Sequence, residues 1–377
     1  MAEESAVIYA ESDELGLIRS TARQFLNDRL DLEVVRELMM SEEGFERGVW
    51  KEIADLGWTG LVISEMHGGA GFGFTELSVV LEEMGRLVTP GPFFASAVLA
   101  TSAIEELATE EQKAALLPPL ASGETIATLA LFETPRGWDL ADLDCTADRE
   151  GNGWKIDGTK RHVLDGHLAD KLLVAAVMDG GVGLFVVDSD ADGVAATQSK
   201  VLDPTRRQAE VRLDSVRVGE TALLGGTCVD AGLATVLALG TVALAAEQVG
   251  GAQRCLDMSV EHAKTRFQFG RAIGSYQAIK HRCAEMLLKV EHAKSTAYHA
   301  ARTADDRDEL AVAAPLAGSV CSQAYLWAAG ETIQIHGGIG FTWEHDAHLY
   351  LKRAKSSSLL FGDSRYQRSL LGDVLGL

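Results

Sequence analysis

Basic residues are scarce in this chain. Its 377 residues include 34 lysines and arginines against 55 aspartates and glutamates, a formal net charge of −21. That excess of negative charge repels a polyanion, which argues against nucleic acid as a partner. Cysteine is sparse too. Cys145, Cys228, Cys255, Cys283 and Cys321 are the only five, none forms a CxxC pair, and the number is odd. This usage argues against a disulfide framework and a thiolate metal site. Free thiols buried in apolar helical context are expected, in a reducing cytoplasm. The N-terminal stretch MAEESAVIYAESDE is acidic and polar and does not read as a signal peptide. The most apolar run, Ala231 to Ala246, is short for a membrane span, rich in Gly and Ala, and followed directly by Glu247. It reads as a helix buried among other helices. No internal repeat and no low-complexity segment is apparent.

What is present is a globular composition, 47% hydrophobic and 24% charged, with length for two or three domains. Glu14 to Leu30 places Leu15, Leu17, Ile18, Ala22, Phe25 and Leu26 at helical spacing. Gly48 to Leu56 reads as a helix stopped by Gly57. After it, the glycine-rich LVISEMHGGAGFGFTE marks a loop, and helix resumes from Phe74 to Arg86. A further short helix spans Glu110 to Leu117. Thr109 is its expected cap, Gln112 completes a capping box, and Pro118 is expected to end it.

The period changes near Thr125. Short segments rich in β-branched residues, separated by Gly or Asp turns, continue to TALLG at Leu224, and EGNGWKIDGTK has a hairpin look. An antiparallel barrel or sandwich is expected there. Helical spacing returns from Asp230. The reading is α+β in three domains: a helical one over 1–122, a β domain over 123–228 and a helical bundle over 229–377.

Two motifs flank a pair of long helical patterns, His281 to Ala304 and Leu310 to Ile333. The first is RFQFGRAIGSYQ, Arg266 to Gln277, and the second is QIHGGIG, Gln334 to Gly340. Glycines beside charged and amide side chains let backbone approach a phosphate or a planar ring. In this order and spacing the two motifs resemble the C-terminal domain of the acyl-CoA dehydrogenase family. LGWTGL, SEMHGGAGF and a helix ending EEMGR resemble the family's N-terminal domain.

The resemblance implies an FAD-dependent oxidation of an acyl-CoA thioester to its 2,3-enoyl form, with electron-transfer flavoprotein as acceptor. A carboxylate would remove the α-proton while a hydride leaves the β-carbon. It further implies that Arg266, Phe269, Gln277, Gln334, Gly337 and Gly338 hold the pyrophosphate and adenine of an FAD whose ring sits in a neighbouring subunit. Arg266 suits that role because its planar fork matches a pyrophosphate.

The chemistry-bearing positions depart from the family pattern. The base of a YEGT motif maps to LFGDSRYQR, where Phe361 stands in place of glutamate. The alternative base, on the helix before RxxFG, maps to Gly240. Glu247 is the nearest carboxylate on that helix, two turns or roughly 10 Å further on. It is a catalytic candidate or else a buried or interface carboxylate. Glu344, Asp346 and Asp363 lie near the motifs. The flavin-side motifs are altered as well. FETPRGWDL keeps Glu133, Pro135 and Gly137 but has Trp138 in place of serine. The usual Trp-Ile-Thr trio becomes His162, Val163 and Leu164, which has no hydroxyl to offer the ring.

A kept adenine half beside an altered catalytic half is similar to the non-catalytic partner in two-plus-two heterotetrameric acyl-CoA dehydrogenases, including those for sterol side chains. The expected function is completion of the FAD site of a catalytic sister chain. The alternatives are a self-sufficient homotetramer with Glu247 as base, a flavin-free binding protein on the same fold, and nitroalkane or monooxygenase chemistry.

Overall fold

The computed structural model describes residues 12–134 and 142–377. The first block is helical: α1 Asp13–Arg29, α2 Leu32–Leu38, α3 Arg47–Asp55, α4 Phe74–Arg86, a π-helical turn Phe94–Ala100 running into α5 Thr101–Leu107, and α6 Glu110–Ala121. The Thr109 hydroxyl accepts the Gln112 N–H at 3.3 Å, and Gln112 accepts the Thr109 N–H at 3.0 Å, so the capping box forms as read from the sequence. Pro118 does not end α6; it and Pro119 lie within the helix. A proline removes one hydrogen-bond donor but its fixed φ is helical. Here the apolar face continues past it, with Leu117 and Leu120 both buried.

The second block is a seven-stranded sheet: β1 Ala127–Ala130, β2 Thr146–Glu150, β3 Gly153–Leu164, β4 Lys171–Met178, β5 Gly181–Asp188, β6 Val194–Gln198 and β7 Gln208–Gly219. Strand order is β1-β4-β2-β3-β7-β6, with β5 on β4. The sheet is mixed where an antiparallel one was expected: β1 and β2 both run parallel to β4. Turn signals between successive strands reveal hairpins, such as β2–β3 and β4–β5, but not pairings between strands far apart in sequence. TALLG forms 3-10 turns at Glu220–Ala222 and Leu224–Gly226, with Leu223 bridged to Phe185.

The third block comprises α7 Asp230–Thr265, a two-residue hairpin β8 Phe267–Gln268 and β9 Arg271–Ala272, α8 Gln277–Arg302, α9 Arg307–His336, α10 Ala347–Ser357 and α11 Ser364–Val374. The apolar run at Ala231 is the start of a 36-residue helix. Among the described residues, α7 and the helical stretch Arg307–Phe341 are long and apolar enough to cross a membrane. Their most apolar windows are 67% and 56% buried within the protein, α7 and α9 packing on each other. Burial against neighbouring helices, not shortness, accounts for that hydrophobicity.

α4 and α7 pack backbone to backbone. A Cβ added at Gly85 would lie 2.0 Å from the Glu247 carbonyl oxygen, and one at Gly250 only 1.8 Å from that of Glu82. This contact fixes α7 against the first block. One continuous apolar core then runs through all three blocks, from Leu26 and Leu77 through Ile156 and Val174 to Val242 and Ala317.

Candidate functional site

Phe361 and Gly240, the two positions expected from the sequence to correspond to a base, lie beside each other. Phe361, in the turn between α10 and α11, is buried, and its ring stacks on Phe94 with centroids 6.2 Å apart and planes at 21°. A Cβ added at Gly240 of α7 would lie 3.4 Å from Phe361 Cε2 and 2.8 Å from Leu99 Cδ2. Phe361 has φ of +55°, a left-handed conformation costly for an aromatic residue. Its carbonyl accepts a hydrogen bond from Gln367 Nε2 at 2.6 Å, which helps hold the turn. The nearby carboxylates are engaged or remote. Asp363 caps α11, accepting the Arg365 and Tyr366 N–H groups at 3.0 and 2.9 Å. Asp346 pairs with Arg36 at 2.8 Å, and Glu344 is exposed.

Glu247 is buried between two guanidiniums. Arg206 bonds one carboxylate oxygen and Arg353 Nη1 donates to the other at 3.1 Å. Arg353 is itself fully buried, with Nε on Asp203 at 2.7 Å and Nη2 on the Thr205 hydroxyl at 2.7 Å and the Val88 carbonyl at 3.1 Å. The cluster therefore joins α7 and α10 to the loop before β7 and the chain after α4. Buried charge is tolerated where each group is paired and hydrogen-bonded. Arg206 also lies over the Phe94 ring at 4.8 Å, so Glu247, Arg206, Phe94 and Phe361 form a continuous file.

Phe361 stands between two cavities. One, of 380 Å³, lies between the sheet and the C-terminal helices and is lined by Leu131, Phe132, His162 and Leu164 among others. The second, of 440 Å³, is lined by Leu237, Leu310, Ala314 and Tyr366. Phe132, Leu237 and Phe361 border both; Glu247 borders neither. A register shift in the β3–β7 ladder falls between Lys160 and Val163, where His162 has φ of +57°. Such a bulge re-aims a side chain. The exposed imidazole Nδ1 pairs with Gln208 Oε1 at 2.9 Å. Val163 and Leu164 are buried.

Glu133 is spent locally. It pairs with the fully buried Lys160 and accepts the N–H groups of Asp144 and Cys145 at 2.6 and 3.0 Å. Pro135, Gly137 and Trp138 lie outside the described residues. Buried Leu164 offers no hydroxyl on this wall, while Thr134 and Arg161 supply polar groups to the same cavity.

The residues expected at a neighbour's adenine lie at one end of the helical block. Arg266 follows α7, Phe269 is at the tip of the β8–β9 hairpin, and Gln277 opens α8. Gln334 is in the last turn of α9, and Gly337, with φ of +64°, ends that helix. All six expected residues, Gly338 included, are exposed in the single chain, Phe269 to 92%. Among the described residues the Arg266 side chain takes no hydrogen bond or ion pair. The half-cradle fits an anionic, planar ligand approaching from outside the chain: a free guanidinium, two amides, and glycines bare of Cβ. Exposed Phe341 and Trp343 lie just beyond Gly338.

Sequence reasoning missed the arginine clamp and a set of histidines behind the half-cradle. His336 lies inside QIHGGIG and His345 five residues after it, so the motif itself carried a signal. Arg206 and Arg353 carried none, since their partners are distant in sequence. The five cysteines are free. Burial pushes the Cys145 thiol up to about 11 and that of Cys255 to about 12, which makes both inert. Cys228 and Cys283 are only partly buried.

Three acyl-CoA dehydrogenase family models match consecutive stretches: the N-terminal domain over residues 12–124, the middle domain over 128–216 and the C-terminal domain over 232–376. The chain is 35% identical over 361 residues to acyl-CoA dehydrogenase IpdE2 of Mycolicibacterium smegmatis, covering 94% of this chain and 97% of that one. Among solved structures, a variant of the Tcur3481–Tcur3483 steroid ACAD superposes with a TM-score of 0.88 at 33% identity, covering 96% of this chain and 98% of that one. The ChsE4–ChsE5 complex of Mycobacterium tuberculosis gives a TM-score of 0.89 at 28% identity, covering 97% and 98%. With all three domains matched in order on an α+β fold, this chain belongs to the acyl-CoA dehydrogenase family, whose members are FAD-dependent oxidoreductases.

Proposed function

We propose that this chain completes the FAD site of a catalytic sister subunit and performs no dehydrogenation in its own site. The observation that carries this reading is the placement of a buried Phe361 ring beside Gly240, two residues that offer no proton acceptor at either expected base position. Glu247 supports it, because a carboxylate clasped by Arg206 and Arg353 and bordering neither cavity acts as an internal brace.

In this reading Arg266 pairs with the pyrophosphate, Gly337 and Gly338 let backbone close on it, and Gln277, Gln334 and Phe269 flank the adenine. The FAD held there supplies hydride acceptance at the sister chain's own flavin ring and base. The assembly is a two-plus-two heterotetramer that dehydrogenates an acyl-CoA thioester in the cytoplasm, with electron-transfer flavoprotein as acceptor. A bulky, sterol side-chain acyl group is the proposed substrate class. Relatives described as a steroid ACAD and as a two-component complex favour both the assembly and the substrate.

The test is the visible spectrum of the chain purified alone, with flavin counted per chain, and then of the complex recovered with its sister chain. Little flavin alone and about one per sister chain in the complex is the expected result. One flavin per chain in the isolated protein, with turnover of acyl-CoA, would overturn the proposal.

A further inference from the structure

Behind the exposed half-cradle three imidazoles stack in a row. His262 lies in the last turn of α7, His336 is the last residue of α9, and His345 follows the GGIG turn. The His262 and His336 ring centroids are 4.2 Å apart with planes at 31°, and those of His336 and His345 are 4.2 Å apart at 50°. The row links the end of α7 to the end of α9 and to the segment nine residues further on. Each segment also carries or adjoins cradle residues. The His262 carbonyl accepts the Arg266 N–H at 2.9 Å, which sets where the chain leaves α7. His336 immediately precedes Gly337, and Gly340 folds back on it, since an added Cβ there would lie 2.9 Å from His336 Cβ.

Hydrogen bonds fix two of the three tautomers. His336 Nδ1 faces the Thr332 carbonyl at 2.8 Å and so carries a proton. His345 Nδ1 accepts the Ala347 N–H at 3.1 Å and so carries none. Both states suit a neutral ring, and neutral rings can pack at 4.2 Å where like charges repel.

We propose that His262, His336 and His345 are positioning residues that clamp the Arg266 arm and the Gly337–Gly338 arm of the half-cradle at a fixed separation. The assignment of that face to a neighbour's cofactor rests on the function proposed above. The stack works as one piece because three flat rings fill the gap between two helix ends that no backbone ladder joins.

The same geometry makes the clamp acid-sensitive. Burial brings His336 down to about 4, with His345 and His262 opposing its charge, and burial also lowers His262, where His345 opposes charge, and His345. The charged groups facing the row are Arg266 beside His262 and the Arg36–Asp346 pair beside His345. Asp346 favours a charged His345 and both arginines oppose charge, so the row stays neutral at pH 7. A histidine lowered in the packed state stabilises that state above its ordinary value of about 6.5 and loses the contribution as pH falls.

The test is hydrogen exchange by mass spectrometry on the full chain, read in residues 262–273 and 334–345 at pH 7.5 and 5 after correction for intrinsic rates. His262→Ala removes one ring at a partly exposed helix position, and alanine favours helix. His262→Phe keeps a flat ring that does not titrate. The expected results are about tenfold faster exchange in both stretches for His262→Ala at pH 7.5, wild-type protection for His262→Phe, and acid-induced loss in wild type that His262→Phe shifts to lower pH. Wild-type protection in His262→Ala, or equal loss in both variants, would overturn the clamp. Flavin retention in the complex separates this proposal from the one beneath it. If Arg266→Ala loses flavin and His262→Ala keeps it, the clamp fails as a cradle organiser. If both keep it, the cofactor-sharing reading fails.

Discussion

A side chain added at Gly240 would run into Leu99 and the ring of Phe361, its Cβ lying 2.8 Å from the former and 3.4 Å from the latter. Leu99 and the Phe361 ring therefore obstruct a longer side chain at position 240. Phe361→Glu removes a buried ring stacked on Phe94, a change of the kind that costs about 3–5 kcal/mol when a phenylalanine is truncated, and it leaves a carboxylate in an apolar wall. Gly240→Glu overpacks the same spot, where inserted bulk costs about 1–3 kcal/mol. Both variants should unfold at lower denaturant than wild type. Neither should bleach a flavin or reduce a dye with acyl-CoA thioesters.

The Arg353 clamp should dominate stability. Arg353→Met leaves Glu247 and Asp203 buried with one cation fewer, and breaking a buried pair costs about 3–5 kcal/mol. Glu247→Gln should also destabilise, by stripping charge from between Arg206 and Arg353, while turnover per flavin in the complex with a sister chain stays unchanged. Denaturant titration reads the first effect. Loss of turnover at full flavin occupancy in Glu247→Gln would count against its role as a brace.

Asp165 gives a pH signature of opposite sign to the histidines. Burial pushes its carboxyl up to about 7, against the pull of Arg206, Arg353 and Arg207. An acid raised in the folded state binds more protons folded than unfolded between about 4 and 7, so its effect is loss of stability as pH rises through that window. Asp165→Asn mimics the neutral form. Its melting temperature should exceed wild type at pH 8, with the gap closing by pH 5. A constant gap across that range would assign the effect to something other than titration.

The Arg266 side chain is exposed and takes no hydrogen bond or ion pair within the described residues. Arg266→Ala should leave the stability of the isolated chain within about 0.5 kcal/mol, as for other surface sites. In the complex it should lower flavin retention about tenfold or more, and Arg266→Lys should restore part of it, since lysine keeps the charge but loses the fork. Equilibrium dialysis of the complex distinguishes the two variants.

The sequence by itself determined the block order, because periodicity of 3.6 or 2 is imprinted residue by residue. α4 from Phe74 to Arg86 and the Thr109–Gln112 box both appear where local pattern places them. It also determined which chemical groups are missing: Phe361, Gly240 and Leu164 are visible as letters. Tertiary structure alone decided what surrounds those positions. That Phe361 lies beside Gly240, that Glu247 is claimed by Arg206 and Arg353, and that β1 and β2 run parallel to β4 all depend on partners far along the chain. The separations are 121 residues for the first contact and 106 for Glu247 with Arg353. Such contacts are set by the packing of helices and sheet around one core, where shape and burial choose the neighbour and local propensity has no say.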